Sequence, residues 1–262
     1  MTRTAVMLLA ASAAWAEVRL LVTVVEPRTG KPVPGITAAD LAVIDGGSER
    51  KVAGVHFQTT PVDSLILIDS SAVGRDLQGI AADMIGQLRE KEQMALARYD
   101  SSAELVQDFT SLQQTLLRQL AGIKFGNTPR VLDALYAVAG GGFEHATLRR
   151  VILVVTSGLD GGSGTSERDV IRLARKNGIS IYSLYMTGGE RGMFENLGRQ
   201  TGGATISVRE LSKTAKKPAE QVFDAIRSNY SVTIAGNLAP TDRMKMEVRK
   251  PGKYFVSWLV LD

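Results

Sequence analysis

Three continuous apolar runs constrain the fold of this chain more than any other feature. They are Ser64–Ile68, Val151–Val155 and Ile179–Tyr185, and each is rich in Ile, Leu, Val or Tyr. Strands that are apolar on both faces are typical of a parallel sheet covered by helices on both sides. Segments with apolar residues at helical spacing separate the three runs. This alternation predicts a doubly wound, mostly parallel α/β sheet.

The remaining elements are predicted from the same periodicities and from turn residues. Further strands are predicted over residues 92–98, 103–107 and 204–208. Helices are predicted over residues 75–88, 112–120, 130–139, 167–176, 193–201 and 219–229.

Both ends of the chain carry a different, β-rich pattern. Each end contributes three short candidate strands, a set that is too small to be stable alone. We therefore expect the two ends to form one small antiparallel β-sandwich, with the α/β domain inserted between its halves. The candidate strands cover residues 18–25, 41–44 and 51–58 at one end, and residues 230–235, 244–248 and 255–261 at the other.

The first sixteen residues have the pattern of a secretory signal peptide. Arg3 gives a positive start, residues 5–11 are apolar, and Ala14-Trp15-Ala16 is a small-x-small cleavage site. The apolar run is too short to span a bilayer, which takes about 20 residues. We expect cleavage near Ala16 and a soluble periplasmic or secreted product. The predicted divisions are then a signal peptide (1–16), the first sandwich half (17–61), the α/β domain (62–210) and a helix with the second sandwich half (211–262).

Composition excludes several kinds of chemistry. The chain of 262 residues contains no Cys, which rules out disulfides, thiolate metal sites, thiol nucleophiles and a lipid-modified cysteine. Its formal charge of +4 is too small to argue for nucleic acid as a partner. The two His residues, His56 and His145, do not follow strands in the order that a Ser nucleophile would need.

Oxygen-bearing side chains follow the strand ends of the predicted sheet. Ligands bind at the carboxyl ends of the strands in open α/β sheets, and three segments should meet there. We call them together the rim: residues 69–74, 126–129 and 157–163. They include Asp69-Ser70-Ser71, Asn127-Thr128 and Ser157-Gly158-Leu159-Asp160.

The order of these segments resembles that of von Willebrand factor type A (VWA) domains. Those domains carry a metal-ion-dependent adhesion site (MIDAS), with Asp-x-Ser-x-Ser after the first strand, a Thr on a second loop and an Asp on a third. The resemblance covers residues 62–210, and the Thr201-Gly202-Gly203 turn is also similar. The segments 35–41, 44–47 and 249–252 resemble the flanks of an exported Acidobacterial VWA family.

The resemblance implies a Mg²⁺ site completed by a carboxylate from a protein partner. Asp69, Ser71 and Thr128 occupy ligand positions, but Val73 stands where the motif has Ser, and Ser157 where it has Asp. One carboxylate and two hydroxyls should hold Mg²⁺ poorly, unless Asp160 compensates. On the same rim, we expect Ser70, Asn127 and Ser157 to contact the partner. Alternatively, residues 69–71 and Thr128 only cap the helices that follow them.

These observations predict an exported, non-enzymatic protein-interaction module for adhesion or scaffolding. Its partner would bind the rim, either directly or by offering an Asp or Glu to a degenerate MIDAS. The alternative hypothesis is a hydrolase or transferase that uses Asp69 as nucleophile or base. Against it stand the absence of a second acid two residues after Asp69 and the placement of the His residues.

Overall fold

The structure is a computed structural model that describes residues 17–236 and 244–261. The predicted signal peptide lies outside these residues. Within them, no helix combines the length and the apolar character needed to cross a membrane.

The strands form three sheets. Six strands make the largest sheet, in the order β10-β9-β8-β5-β6-β7, with only β7 antiparallel to its neighbour. Four strands make a second sheet, β13-β1-β11-β4, and three make a third, β12-β2-β3. In chain order the strands are β1 Glu17–Val25, β2 Leu41–Asp45, β3 Ser48–Arg50, β4 Val52–Thr59, β5 Val62–Asp69, β6 Met94–Tyr99, β7 Ala103–Thr110, β8 Arg149–Thr156, β9 Ile179–Tyr185, β10 Thr205–Ser207, β11 Ser228–Ala235, β12 Lys245–Val248 and β13 Phe255–Leu261.

Helices cover both faces of the six-stranded sheet, which explains the apolar runs in its central strands. Ile66 and Ile68 of β5 pack in a core with α1, α2 and α7, whereas Leu65 and Leu67 pack in a second core with α3, α4 and α5. The helices are α1 Leu77–Ile85, α2 Gln113–Ala121, α3 Val131–Gly141, α4 Glu167–Lys176, α5 Arg191–Thr201, α6 Val208–Thr214 and α7 Pro218–Arg227, besides a short 3-10 helix, Ala38–Asp40.

Strands from both ends of the chain build the predicted sandwich. β1 lies between β13 and β11 and is antiparallel to both. A separate apolar core lies between this sheet and the three-stranded sheet, and includes Leu20, Val43, Val232 and Trp258. The predicted fold class, an α/β sheet inserted into a composite β-sandwich, is thereby confirmed.

Two sets of contacts join the sandwich to the α/β unit. In the turn after β1, Arg28 pairs with Ile206 as a parallel bridge, which extends the six-stranded sheet beside β10. Gly30 in this turn has a φ of +68°, a left-handed conformation that favours glycine, and a Cβ there would lie 2.5 Å from Ile206 Cδ1. At the end of α7, directly before β11, the guanidinium of Arg227 is buried against the carboxylate of Glu92, with an Nε–Oε1 distance of 2.8 Å.

Several details differ from the sequence prediction. Residues 228–229 belong to β11 and not to the helix predicted over residues 219–229, and β3 is a strand that the sequence prediction did not include. Helix α1 covers Leu77–Ile85 rather than residues 75–88. The end of the predicted strand 204–208 is helical, because Val208 begins α6, a helix that the sequence prediction did not include. The domain boundaries at residues 61 and 210 stay a prediction.

Candidate functional site

The three rim segments meet at the carboxyl edge of the six-stranded sheet. The first two are joined by backbone hydrogen bonds, from Gly126 N to Ser70 O (2.9 Å) and from Ala72 N to Asn127 O (3.2 Å). The third begins where β8 ends, directly beside β5. Parallel strands thus bring together residues that are almost 90 positions apart in the sequence.

Asp69, the last residue of β5, is fully buried and accepts three hydrogen bonds. Its Oδ1 accepts the Ser71 N–H at 2.9 Å. Its Oδ2 accepts both the backbone N–H (3.1 Å) and the hydroxyl (2.5 Å) of Ser157. A Cβ on Gly74 would lie 2.9 Å from Asp69 Oδ1 and still closer to the Asp69 carbonyl, so the loop passes tightly over this carboxylate. Donors of the chain itself therefore occupy both oxygens of Asp69.

The two serines after Asp69 point to different surroundings. The Ser70 hydroxyl donates to the Tyr99 carbonyl at 2.9 Å. The Ser71 hydroxyl is buried and has no hydrogen-bond partner among the described residues. Beneath them, the Tyr99 hydroxyl donates to Thr156 Oγ1 at 2.9 Å. Burial, and then the charge of Asp69, raise the pKa of Tyr99 well above its ordinary value, so Tyr99 stays neutral.

The second rim segment presents its side chains to solvent. Asn127 adopts a left-handed backbone conformation (φ 60°) and donates to Asp100 Oδ2 at 2.9 Å. Burial alone would raise the pKa of Asp100, but hydrogen bonds from Asn127 and Ser102 outweigh it and hold the pKa below its usual value. Thr128 is exposed, and its methyl group packs against Gly161.

Asp160, the residue that could replace the missing Mg²⁺ ligands, stabilises the start of α3. Its Oδ1 accepts the Val131 N–H (2.9 Å) and the Ser163 hydroxyl (2.6 Å), and its Oδ2 accepts the Ser163 N–H (3.0 Å). Ser163 Oγ in turn accepts the next N–H of the helix, that of Leu132. The first N–H groups of a helix lack partners within the helix, and this loop supplies them.

Residues 69–71 and Thr128 do not cap the helices that follow them, so the alternative reading of these residues as helix caps is wrong. Helix α1 begins at Leu77, with Asp76 and not a residue of 69–71 at the N-cap position. Helix α3 has Arg130 at its N-cap position, and its free N–H groups go to Asp160 and Ser163 rather than to Thr128.

In this arrangement few side-chain oxygens of the candidate ligands are free to bind Mg²⁺. This ion requires near-octahedral oxygen ligands and dehydrates reluctantly. The side-chain oxygens of Asp69, Ser157 and Asp160 take part in hydrogen bonds within the rim, and Val73 has no oxygen to offer. Ser71 and Thr128 remain, two neutral hydroxyls. The described residues also contain no group of three or more His, Asp or Glu that could hold a metal ion.

Large apolar side chains are exposed at and beside the rim. Val73 is 56% exposed, Leu159 40%, and Met186, which directly follows β9, 37%. The Leu159 side chain packs close to Gly189 of the next loop, and Thr187 N donates to Ser157 O at 2.9 Å. The sequence prediction counted Val73 only as a missing ligand and did not single out Leu159 or Met186.

Neither of the two His residues lies in the rim. His145 Nδ1 is 2.6 Å from Asp108 Oδ2, on edge strand β7. His56 lies on β4 of the sandwich. Neither is among the hydrogen-bond partners of Asp69.

Comparison with solved structures identifies the fold. Proximal thread matrix protein 1 from the mussel byssus, solved with a zinc-occupied MIDAS motif, superposes with a TM-score of 0.55 at 15% sequence identity. The match covers 67% of this chain and 49% of that one, so this chain aligns with only about half of the mussel protein. The α/β unit has a VWA fold.

A bacterial structure supports the same assignment. The conserved hypothetical protein BatB from Bacteroides thetaiotaomicron superposes with a TM-score of 0.51 at 12% identity. The match covers 63% of this chain and 98% of BatB. No protein-family model and no curated protein matches the chain. The resemblance to the Acidobacterial family and the degenerate state of the MIDAS stay predictions.

Proposed function

We propose that this chain is an exported, non-enzymatic protein-interaction module that binds its partner through the rim of the VWA unit without a bound Mg²⁺. The observation that carries the proposal is the pairing of two features at one edge. Asp69 is held by Ser157, and the side chains of Val73 and Leu159 are exposed beside it.

The exposed apolar side chains favour a partner that packs against the rim. Clustered apolar side chains on a soluble protein mark interaction sites more often than isolated ones do. Polar contacts would come from Asn127 and Thr128, which are exposed on the second segment, and not from Ser70 and Ser157, which we expected as partner contacts but which are buried. A partner Asp or Glu, which a working MIDAS would use, has no metal to bind in this arrangement.

The hydrogen bond between Ser157 and Asp69 supports the metal-free form of the proposal. In a MIDAS, a carboxylate at the position of Ser157 would add a second negative charge, which a cation would balance. Here a hydroxyl donor faces Asp69 instead, so the carboxylate is stabilised without a cation.

Site-specific photo-crosslinking tests the interaction surface. A photoreactive amino acid is placed at Leu159 or Val73, and as a control at Leu112. Leu112 is also apolar and exposed, but it lies near the opposite edge of the sheet, because β7 runs antiparallel to β6. We expect a discrete adduct in cell extracts from Leu159 and Val73 only. Equal labelling from Leu112 would contradict the proposal.

Thermal unfolding tests the metal. A ligand that binds only the folded state raises the unfolding temperature, so the chain should unfold at the same temperature in millimolar Mg²⁺ and in EDTA. The variant Val73→Ser/Ser157→Asp restores the motif, and we expect Mg²⁺ to stabilise it. A Mg²⁺-dependent shift of the wild type that Asp69→Ala abolishes would contradict the metal-free proposal.

Export is tested by the amino terminus of the product. If the signal peptide is cleaved as proposed, the protein recovered from periplasm or medium begins at Glu17. A product that retains Met1, or that stays in the cytoplasm, would contradict this part of the proposal.

A further inference from the structure

A second candidate site lies at the opposite edge of the VWA sheet, where β8 and β9 begin. Here a cleft of about 580 Å³ separates the sheet from the sandwich. Arg149, Arg150 and Lys176 line one wall, and Gln58 and Thr60, at the end of β4 and just after it, line the other. None of the described residues that line the cleft is an Asp or a Glu.

The three cations of this cleft have no carboxylate partner within the described residues. Arg150 Nη1 donates to the Asn177 carbonyl at 3.1 Å, and Lys176 is exposed. Arg149 donates from Nη2 to the Ile226 carbonyl. Its Nε and Nη1 are buried and have no acceptor among the described residues.

The neighbouring acidic side chain is already engaged. Asp63 on β5 is fully buried. Its Oδ2 accepts the N–H groups of Thr147 (2.7 Å) and Leu148 (2.9 Å), and its Oδ1 accepts that of Gln93 (3.0 Å). Asp63 therefore fixes the approach to β8 and forms no ion pair with Arg149 among the described residues.

Unsatisfied buried donors are rare in folded proteins and commonly indicate an ion or a water at the site. Buried guanidinium N–H groups without an acceptor are costly, and two further cations nearby add repulsion. An oxyanion in the cleft would relieve both once Arg149 turns its buried N–H groups towards it, because it offers them an acceptor and brings negative charge to Arg150 and Lys176.

We propose that this cleft binds a small molecule through an oxyanion group, a phosphate or a carboxylate. Its volume lies within the range of small-molecule pockets, roughly 300–1,000 Å³. The opposite wall is preformed: Gln58 donates to Asn229 Oδ1 (3.0 Å), and Asn229 donates to Thr60 Oγ1 (3.0 Å). The Thr60 hydroxyl hydrogen remains available to the ligand.

Isothermal titration calorimetry of the full chain tests the proposal, with inorganic phosphate and citrate as probes and chloride at matched ionic strength as the reference. We expect saturable binding of at least one probe. Arg149→Gln should weaken binding by about tenfold or more, which corresponds to the loss of one charged hydrogen bond. Phosphate binding without citrate binding assigns a phosphoryl ligand, and the reverse assigns a carboxylate ligand.

Matched variants separate the cleft from general charge effects. Lys176→Gln should weaken binding severalfold, whereas Arg168→Gln should leave it unchanged. Arg168 is an exposed arginine near the other end of the same helix, α4. If Arg149→Gln fails to fold, Arg150→Gln/Lys176→Gln takes its place. Heats identical to those of chloride, or equal weakening by Arg168→Gln, would overturn the proposal.

Discussion

Replacing Ser157 with alanine removes one hydroxyl from the third rim segment and leaves its backbone N–H in place. That hydroxyl donates to Asp69 Oδ2 at 2.5 Å. Both residues are buried, so water cannot substitute for the lost donor. Hydrogen bonds to charged groups contribute about 1.5–3 kcal/mol to stability, and we expect Ser157→Ala to lower the free energy of unfolding by this amount.

Ser71→Ala is the matched control, because it deletes a buried hydroxyl from the same site. The Ser71 hydroxyl has no partner among the described residues, so its removal leaves no group unsatisfied. We expect Ser71→Ala to be neutral or slightly stabilising. Urea unfolding at pH 7, followed by circular dichroism in EDTA and in Mg²⁺, measures both variants.

Two results would refute this reasoning. If Ser157→Ala costs less than about 0.5 kcal/mol, within the range of ordinary surface changes, the hydrogen bond to Asp69 does not hold the rim. If Ser71→Ala destabilises the chain in Mg²⁺ but not in EDTA, Ser71 is a metal ligand and the metal-free account is wrong.

Three further predictions concern the stability of the fold. Arg227→Met leaves the carboxylate of Glu92 buried without its cation, although Glu92 still accepts the N–H groups of Val62 and Arg89. The free energy of unfolding should therefore fall by about 3–5 kcal/mol. Partial recovery in Arg227→Met/Glu92→Met, in the same urea assay, checks the cause, and no recovery would contradict it. Gly74→Ala forces a methyl group into the backbone at the end of β5, whereas nothing lies near a Cβ on Gly79 in α1. The first should therefore destabilise, and Gly79→Ala should stabilise by about 0.5–1 kcal/mol, with the reverse order contradicting the loop geometry. Partial burial would raise the pKa of Asp133, but hydrogen bonds from the loop before α4 outweigh it and lower the pKa below its ordinary value of 3.8. The ionised group thus stabilises the fold above that value, and this contribution is lost as the pH falls through the lowered pKa. Asp133→Asn should show a smaller acid loss of the unfolding midpoint than the wild type, and an equal loss would contradict the role of this carboxylate.

The sequence predicted the core of the fold because its strongest signals are local. The apolar runs of β5, β8 and β9 identify strands buried on both faces, and Asn177-Gly178 identifies the end of α4. Helix α6 is absent from the sequence prediction, although its first turn carries a capping signal. Ser207 and Glu210 have the S-x-x-E spacing of a capping box, and Ser207 Oγ accepts the Glu210 N–H at 3.4 Å.

The candidate site was only partly predictable, because its hydrogen bonds join distant segments. The sequence indicated that Val73 and Ser157 are not ligands of the usual kind. It could not show that Ser157 donates to Asp69, 88 positions away. The role of Asp160 depends on how its loop folds back on α3, and the exposure of Leu159 and Met186 depends on the packing of neighbouring loops.

The crosslinking yield at Leu159, measured in EDTA and in millimolar Mg²⁺, tests the central claim most directly. The account predicts the same discrete partner adduct at the same yield in both conditions, with none from Leu112. An adduct that requires Mg²⁺, or no difference between Leu159 and Leu112, would contradict a rim that binds its partner without a metal.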